Sequence, residues 1–111
     1  MSEKKWFSVR MVLECRFSDD TLPADALYED RLIVLRANDE QEAKSKGEEI
    51  GKASKHEYKN QYGETVLWEF REVLEVLQLF DDSIKDGTEV FWDLIGGEEF
   101  KRLRKAYGLP E

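Results

Sequence analysis

The chain has 111 residues, 41% of them hydrophobic and 12% aromatic, and carries a formal net charge of -8 at pH 7. That is the size of one domain, with enough apolar material for a core that needs no metal or disulfide, so residues 1–111 read as a single domain. The negative charge opposes generic binding to nucleic acid or to an anionic membrane surface, and no apolar run approaches the roughly 20 residues of a membrane helix.

Alternation opens the chain. Phe7, Val9, Met11, Leu13, Cys15 and Phe17 are apolar, and Ser8, Arg10, Glu14 and Arg16 between them are polar, with Val12 the exception. Period two over eleven residues predicts a strand with one buried face. Cys15, the only cysteine, belongs to the buried set and reads as a core residue, not a nucleophile. The stretch from Ser18 to Ala26 reads as a loop, because Ser18-Asp19-Asp20 and Pro23 break any period. A second strand follows from Tyr28 to Ala37, with apolar residues on both faces in Leu32-Ile33-Val34-Leu35.

Asn38 is the expected helix cap, followed by Asp39 and Glu40 in the positive first turn and Gln41 at the capping-box position. The helix is expected to reach Tyr58 or Asn60, with Ala43, Gly47, Ile50, Gly51, Ser54 and Tyr58 on its buried stripe. Two glycines inside a helix cost roughly 1 kcal/mol each relative to alanine. Close approach of this helix to a sheet is the expected compensation. A third strand begins near Thr65 and runs through Leu77, with Glu72 interrupting its apolar face as at a bulge or a strand edge. Asp81-Asp82-Ser83 and Asp86-Gly87 supply turns, and Thr88 to Ile95 alternates as a fourth strand. Gly96-Gly97 stops it, and Glu98 to Tyr107 forms a short helix with Gly108 in its C-terminal cap.

The expected fold is therefore α+β, in the order β-β-α-β-β-α. It has a four-stranded, mainly antiparallel sheet, a long helix on one face and a short C-terminal helix. Spatial order 2-1-3-4 puts the strand from Phe7 to Phe17 in the interior.

Groups capable of chemistry are few. The only histidine, His56, sits between Lys55 and Glu57 and reads as a solvated surface residue, because a general base needs a cleft and an orienting partner. The pairs Asp19-Asp20 and Asp81-Asp82 lack the spacing of a calcium loop. Glu69 and Glu75 share a strand face with Arg71, which favours ion pairing over a catalytic carboxylate pair. No catalytic residue, cofactor site or metal site is assigned. With one cysteine and no signal-peptide pattern after Met1, the expectation is a cytoplasmic protein.

The aromatic residues carry more information. Trp68 and Trp92 are expected under the long helix. Trp6 and Val12 fall on the opposite face of the first strand, and Leu67, Val73 and Leu77 are expected beside them. These five residues are the candidate interaction surface, to be covered either by Phe100, Leu103 and Tyr107 or by a second molecule.

Several short segments resemble one family. They are Trp6 to Arg10, Tyr28 to Leu35, Asp39 to Ala43, Trp68 to Phe70 and Asp86 to Phe91, spanning most of residues 6 to 95. In that order they resemble the bacterial domain of unknown function 4288, with the tail after Gly96 outside the likeness. The resemblance implies a small α+β domain and transfers no catalytic residue.

The leading expectation is an acidic, non-enzymatic protein-interaction module, self-associating through its second sheet face or binding a basic partner. Two alternatives stand beside it. One is an immunity or inhibitor protein that neutralises a basic toxin or nuclease, since an acidic field accelerates such an encounter. The other is a small-ligand binder or enzyme using Arg10, Arg31 or Arg71 with a neighbouring carboxylate, which requires a concave site where such groups converge.

Overall fold

A computed structural model describes residues 4–17 and 27–110. The expected loop from Ser18 to Ala26, with its Asp19-Asp20 pair, lies outside the described residues. The elements are β1 (Lys5–Phe17), β2 (Tyr28–Ala37), α1 (Glu40–Ala53), β3 (His56–Lys59), β4 (Thr65–Gln78) and α2 (Gly97–Ala106). All strand pairs are antiparallel, and the sheet runs β2-β1-β4-β3. The α+β class and the order β-β-α-β-β-α are as the sequence predicts.

β1 is the middle strand its alternation calls for. Phe7, Val9, Met11, Leu13 and Cys15 are buried, and Leu35, Ala37 and Ala43 complete the core with Ile33, Trp68, Val73 and Val76 at its margin. The helix glycines serve the close approach expected of them. A Cβ on Gly47 would lie 2.8 Å from Val9 Cγ1, and one on Gly51 would lie 2.8 Å from Phe70 Cδ2 and 3.1 Å from Met11 Sδ. Only glycine lets α1 sit this low on β1 and β4.

Helix α1 begins one residue later and ends earlier than expected. Asp39, not Asn38, is the cap: its Oδ1 accepts the Glu42 N–H at 2.8 Å, while the Asn38 side-chain amide donates to Glu42 Oε2 at 2.9 Å. At the other end the Ser54 N–H turns back to Gly51 O at 3.1 Å, and Ser54 Oγ donates to Ile50 O at 2.8 Å. Ile50 and Tyr58, expected on the buried stripe, are exposed. Tyr58 lies in β3, which forms a hairpin with β4. Asn60 shapes that turn, its Oδ1 accepting the N–H groups of Tyr62 at 2.9 Å and Glu64 at 3.0 Å, while Gly63 takes φ 79°.

β3 is thus the fourth strand of the sheet, in place of the expected strand from Thr88 to Ile95. Residues 88–96 have no regular secondary structure and join no ladder. Within them Phe91 is half-buried over Arg10, while Val90, Leu94 and Ile95 are exposed. Trp92, expected under the helix, instead stacks on Phe80 with centroids 6.3 Å apart.

The bulge expected in β4 exists, and there are two. The pairing with β1 slips between Arg10 and Met11 and again between Val12 and Leu13, so Leu74 and Arg71 are the extra residues. After them the helix-facing set of β4 is Val66, Trp68, Phe70, Val73 and Val76, opposite Phe17, Cys15, Leu13, Met11 and Val9. Val73 therefore packs on the core and leaves the candidate interaction surface.

Helix α2 stands apart. None of its residues is buried, and no Cα of it lies within 8 Å of another helix or of a strand. It is closed by Gly108 at φ 69°, with Gly108 N–H on Lys105 O and Leu109 N–H on Arg104 O, a Schellman cap. The radius of gyration, 17.4 Å, exceeds the about 13 Å of a compact chain of this length.

Candidate functional site

The sheet face away from α1 presents Trp6, Ser8, Arg10, Val12, Glu14 and Arg16 from β1. From β2 it presents the residues paired with the first five of these: Arg36, Val34, Leu32, Asp30 and Tyr28. β4 adds Leu67, Glu69, Glu72, Glu75 and Leu77. Four of the five candidate residues, Trp6, Val12, Leu67 and Leu77, share this face; Val73 does not. They do not form one patch. Leu67 and Leu77 are ten residues apart on one strand, about 30 Å, and charges fill the space between.

Ion pairs organise that space. Glu14 is 7% exposed and accepts from Arg71 Nη1 at 2.9 Å, with Arg16 Nη2 at 3.4 Å from its other oxygen. The bulge at Arg71 is what aims that side chain across to β1. The bond to Glu14 and its charge hold the Arg71 guanidinium above its ordinary value. Arg36 lies 5.7 Å from the centroid of the Trp6 ring, its cross-strand neighbour.

The strongest pair is at the centre of the β1–β2 half. Arg10 grips Asp30 with two parallel bonds, Nε to Oδ1 at 2.9 Å and Nη2 to Oδ2 at 2.7 Å. Hydrogen bonding to Arg10 holds the Asp30 carboxyl below its usual range, against the opposing effect of burial. The same bonds raise Arg10, and the charges of Asp30, Glu75 and Asp93 add to them. The Phe91 ring lies 5.7 Å from the Arg10 guanidinium carbon, so the residues leading to α2 bear on this pair.

Between this half of the sheet and the C-terminal segment lies an open cleft of about 460 Å³. Arg10, Asp30 and Leu32 form its floor; Phe91, Asp93 and Ile95 form one wall, and Glu99 and Leu103 of α2 with Tyr107 at its C-terminal cap form the other. Phe100, Leu103 and Tyr107 are expected to cover the second face unless a second molecule does; Leu103 and Tyr107 line it at a distance, and Phe100 is exposed. Three carboxylates face one guanidinium here. Asp93 and Glu99 have no ion-pair partner within 4 Å among the described residues. A concave, partly apolar, negatively charged site of this kind suits a ligand with a positive group and an apolar body.

Cys15 and His56 stand outside it. Cys15 is buried, and burial pushes its thiol up. His56 is exposed, stacks on Tyr58 and has Nδ1 3.2 Å from Ser54 O. Among the described residues no three His, Cys, Asp or Glu side chains are grouped to hold a metal, and no helix is long and apolar enough to cross a membrane.

A family model described as a domain of unknown function (DUF4288) matches residues 6–92, which is most of the chain. The chain belongs to that family. The DUF4288 match takes in the floor of the cleft and Phe91, and it ends before Asp93, Ile95 and the whole of α2. The family description names no reaction. No curated protein and no solved structure matches the chain.

Proposed function

We propose that this DUF4288 domain is a non-enzymatic, cytoplasmic protein-interaction module, and that its cleft receives a basic segment of a partner protein. The observation that carries the reading is the pairing of unneutralised carboxylates, Asp93 and Glu99, with apolar walls from Phe91, Leu103 and Tyr107. A lysine or arginine side chain satisfies both, its charge meeting the carboxylates and its stem lying on the rings. The net charge of -8 supports it by drawing a basic partner toward the domain. A lone buried thiol suits a reducing compartment.

Calorimetric titration of the full chain with short Lys- and Arg-rich peptides, each with one central aromatic residue, tests it. Binding is expected at low salt, weaker at raised salt, and weaker again in the Asp93→Asn, Glu99→Gln double variant. Absence of binding at low salt, or binding indifferent to that double substitution, overturns it.

A further inference from the structure

We propose that a second copy of this chain pairs with the outer edge of β2, which no strand occupies among the described residues, joining two sheets across a two-fold axis at Ile33. This goes beyond the cleft and uses the backbone edge of β2, two of whose side chains, Asp30 and Leu32, also lie on the cleft floor. β2 is an outer strand of ten residues without a proline or bulge, the kind of edge that templates further pairing.

The polarity of that edge follows from its inner side. The Cys15 N–H bonds Leu27 O at 3.0 Å in the β1–β2 register, so odd-numbered residues of β2 spend their backbone groups on β1. Even-numbered residues therefore turn N–H and C=O outward. Two of them, Leu32 and Val34, are also 40% exposed as side chains. Lys46 Nζ donates to the outward Arg36 O at 2.5 Å, and that carbonyl keeps a second lone pair.

An antiparallel partner must set even residues against even ones. Two registers do so with nearly complete overlap of Tyr28–Ala37. Centred on Leu32, the pairing sets Asp30 against the partner's Val34, and Arg36 against the partner's Tyr28. Centred on Ile33, it sets Asp30 against the partner's Arg36 and Leu32 against the partner's Val34. Only the second matches opposite charges and apolar neighbours at once, and symmetry repeats each match. The geometry selects Ile33.

The full chain tests this by sedimentation from ~1 to ~500 µM. A rise from 13.1 kDa toward twice that mass is expected. Val34→Pro removes an outward N–H and leaves the β1 ladder intact, and it should weaken dimerisation about 30-fold. Register is read by oxidation of variants that each add one cysteine to the buried Cys15, since opposed Cα atoms must lie within about 7 Å for a disulfide. Ile33→Cys should form a covalent dimer. Arg31→Cys, four residues out of register with its own copy, should not. A monomer throughout the range overturns the proposal. So does a dimer that ignores Val34→Pro, or cross-linking at Leu32→Cys in preference to Ile33→Cys. Peptide binding at the cleft is read separately and survives any of these results.

Discussion

Gly51 of α1 and Phe70 of β4 are in contact so close that a single added carbon, a Cβ on the glycine, would fall 2.8 Å from the ring's Cδ2. The helix seats on the sheet through this gap, and its position follows from the missing side chain. Gly51→Ala gains about 1 kcal/mol of helix propensity and loses about 1–3 kcal/mol to overpacking against Phe70 and Met11. A net loss near 1 kcal/mol is expected, read as a lower urea midpoint. An increase would mean that α1 rides higher than the structure has it.

The two bulges of β4 make a sharp prediction about neighbouring residues. Val73 packs on the core, whereas Leu74 is an extra residue that points into solvent. Val73→Asp should cost about 2–4 kcal/mol, by placing a carboxylate against apolar neighbours. Leu74→Asp should change stability by less than about 0.5 kcal/mol. Equal costs in urea unfolding would contradict the register.

Acid should weaken the fold in part through Asp30. Its carboxyl is held below the ordinary 3.8 by hydrogen bonds from Arg10, so the folded state keeps the carboxylate charged to lower pH than the unfolded chain does. The contribution is complete above the unfolded value. It is lost as pH falls below that value and through the folded one. In urea unfolding from pH 7 downward, wild type should exceed Asp30→Asn in stability at neutral pH, with the gap closing in acid below 3.8. A gap that widens in acid would show that the pair has another role.

Burial of Cys15 raises its thiol, and it is the thiolate that attacks a disulfide reagent, releasing the reagent's other half as a thiol. The native chain should react at least ~10-fold more slowly than the same chain in denaturant. Equal rates would place β1 outside the core.

Much of the fold is legible in the sequence because its signals are of long period and high contrast. Eleven residues of alternation define β1, and a stripe of small residues in a charged helix announces close contact with a sheet. β3 has no comparable signal: His56-Glu57-Tyr58-Lys59 is exposed throughout and continues the charged composition of α1. Its strand character comes from the Asn60 turn and from pairing with β4. The segment from Thr88 to Ile95 shows the reverse case, in which alternation without an available neighbour gives no strand. The misplacement of Val73 has one physical cause, since each bulge reverses the parity of every residue beyond it.

The cleft was legible only in pieces. Arg10 stood out as a candidate cation, and Leu103 and Tyr107 as residues with something to cover. Their convergence with Asp30, Leu32 and Asp93 depends on register and on the path of residues 88–96, which no local pattern encodes. The second face also looked more apolar in sequence than it is. Trp6 carries Arg36 on its ring, and the Glu14–Arg71 pair divides the remaining apolar residues.

The central claim is that the cleft receives a basic segment, and amide chemical-shift mapping of the full chain with a Lys- and Arg-rich aromatic peptide tests it most directly. The account predicts saturable shifts at Arg10, Asp30, Leu32, Phe91, Asp93, Leu103 and Tyr107, reduced by added salt. Shifts confined to α1 and the β3–β4 hairpin, or no shifts at low salt, would contradict it.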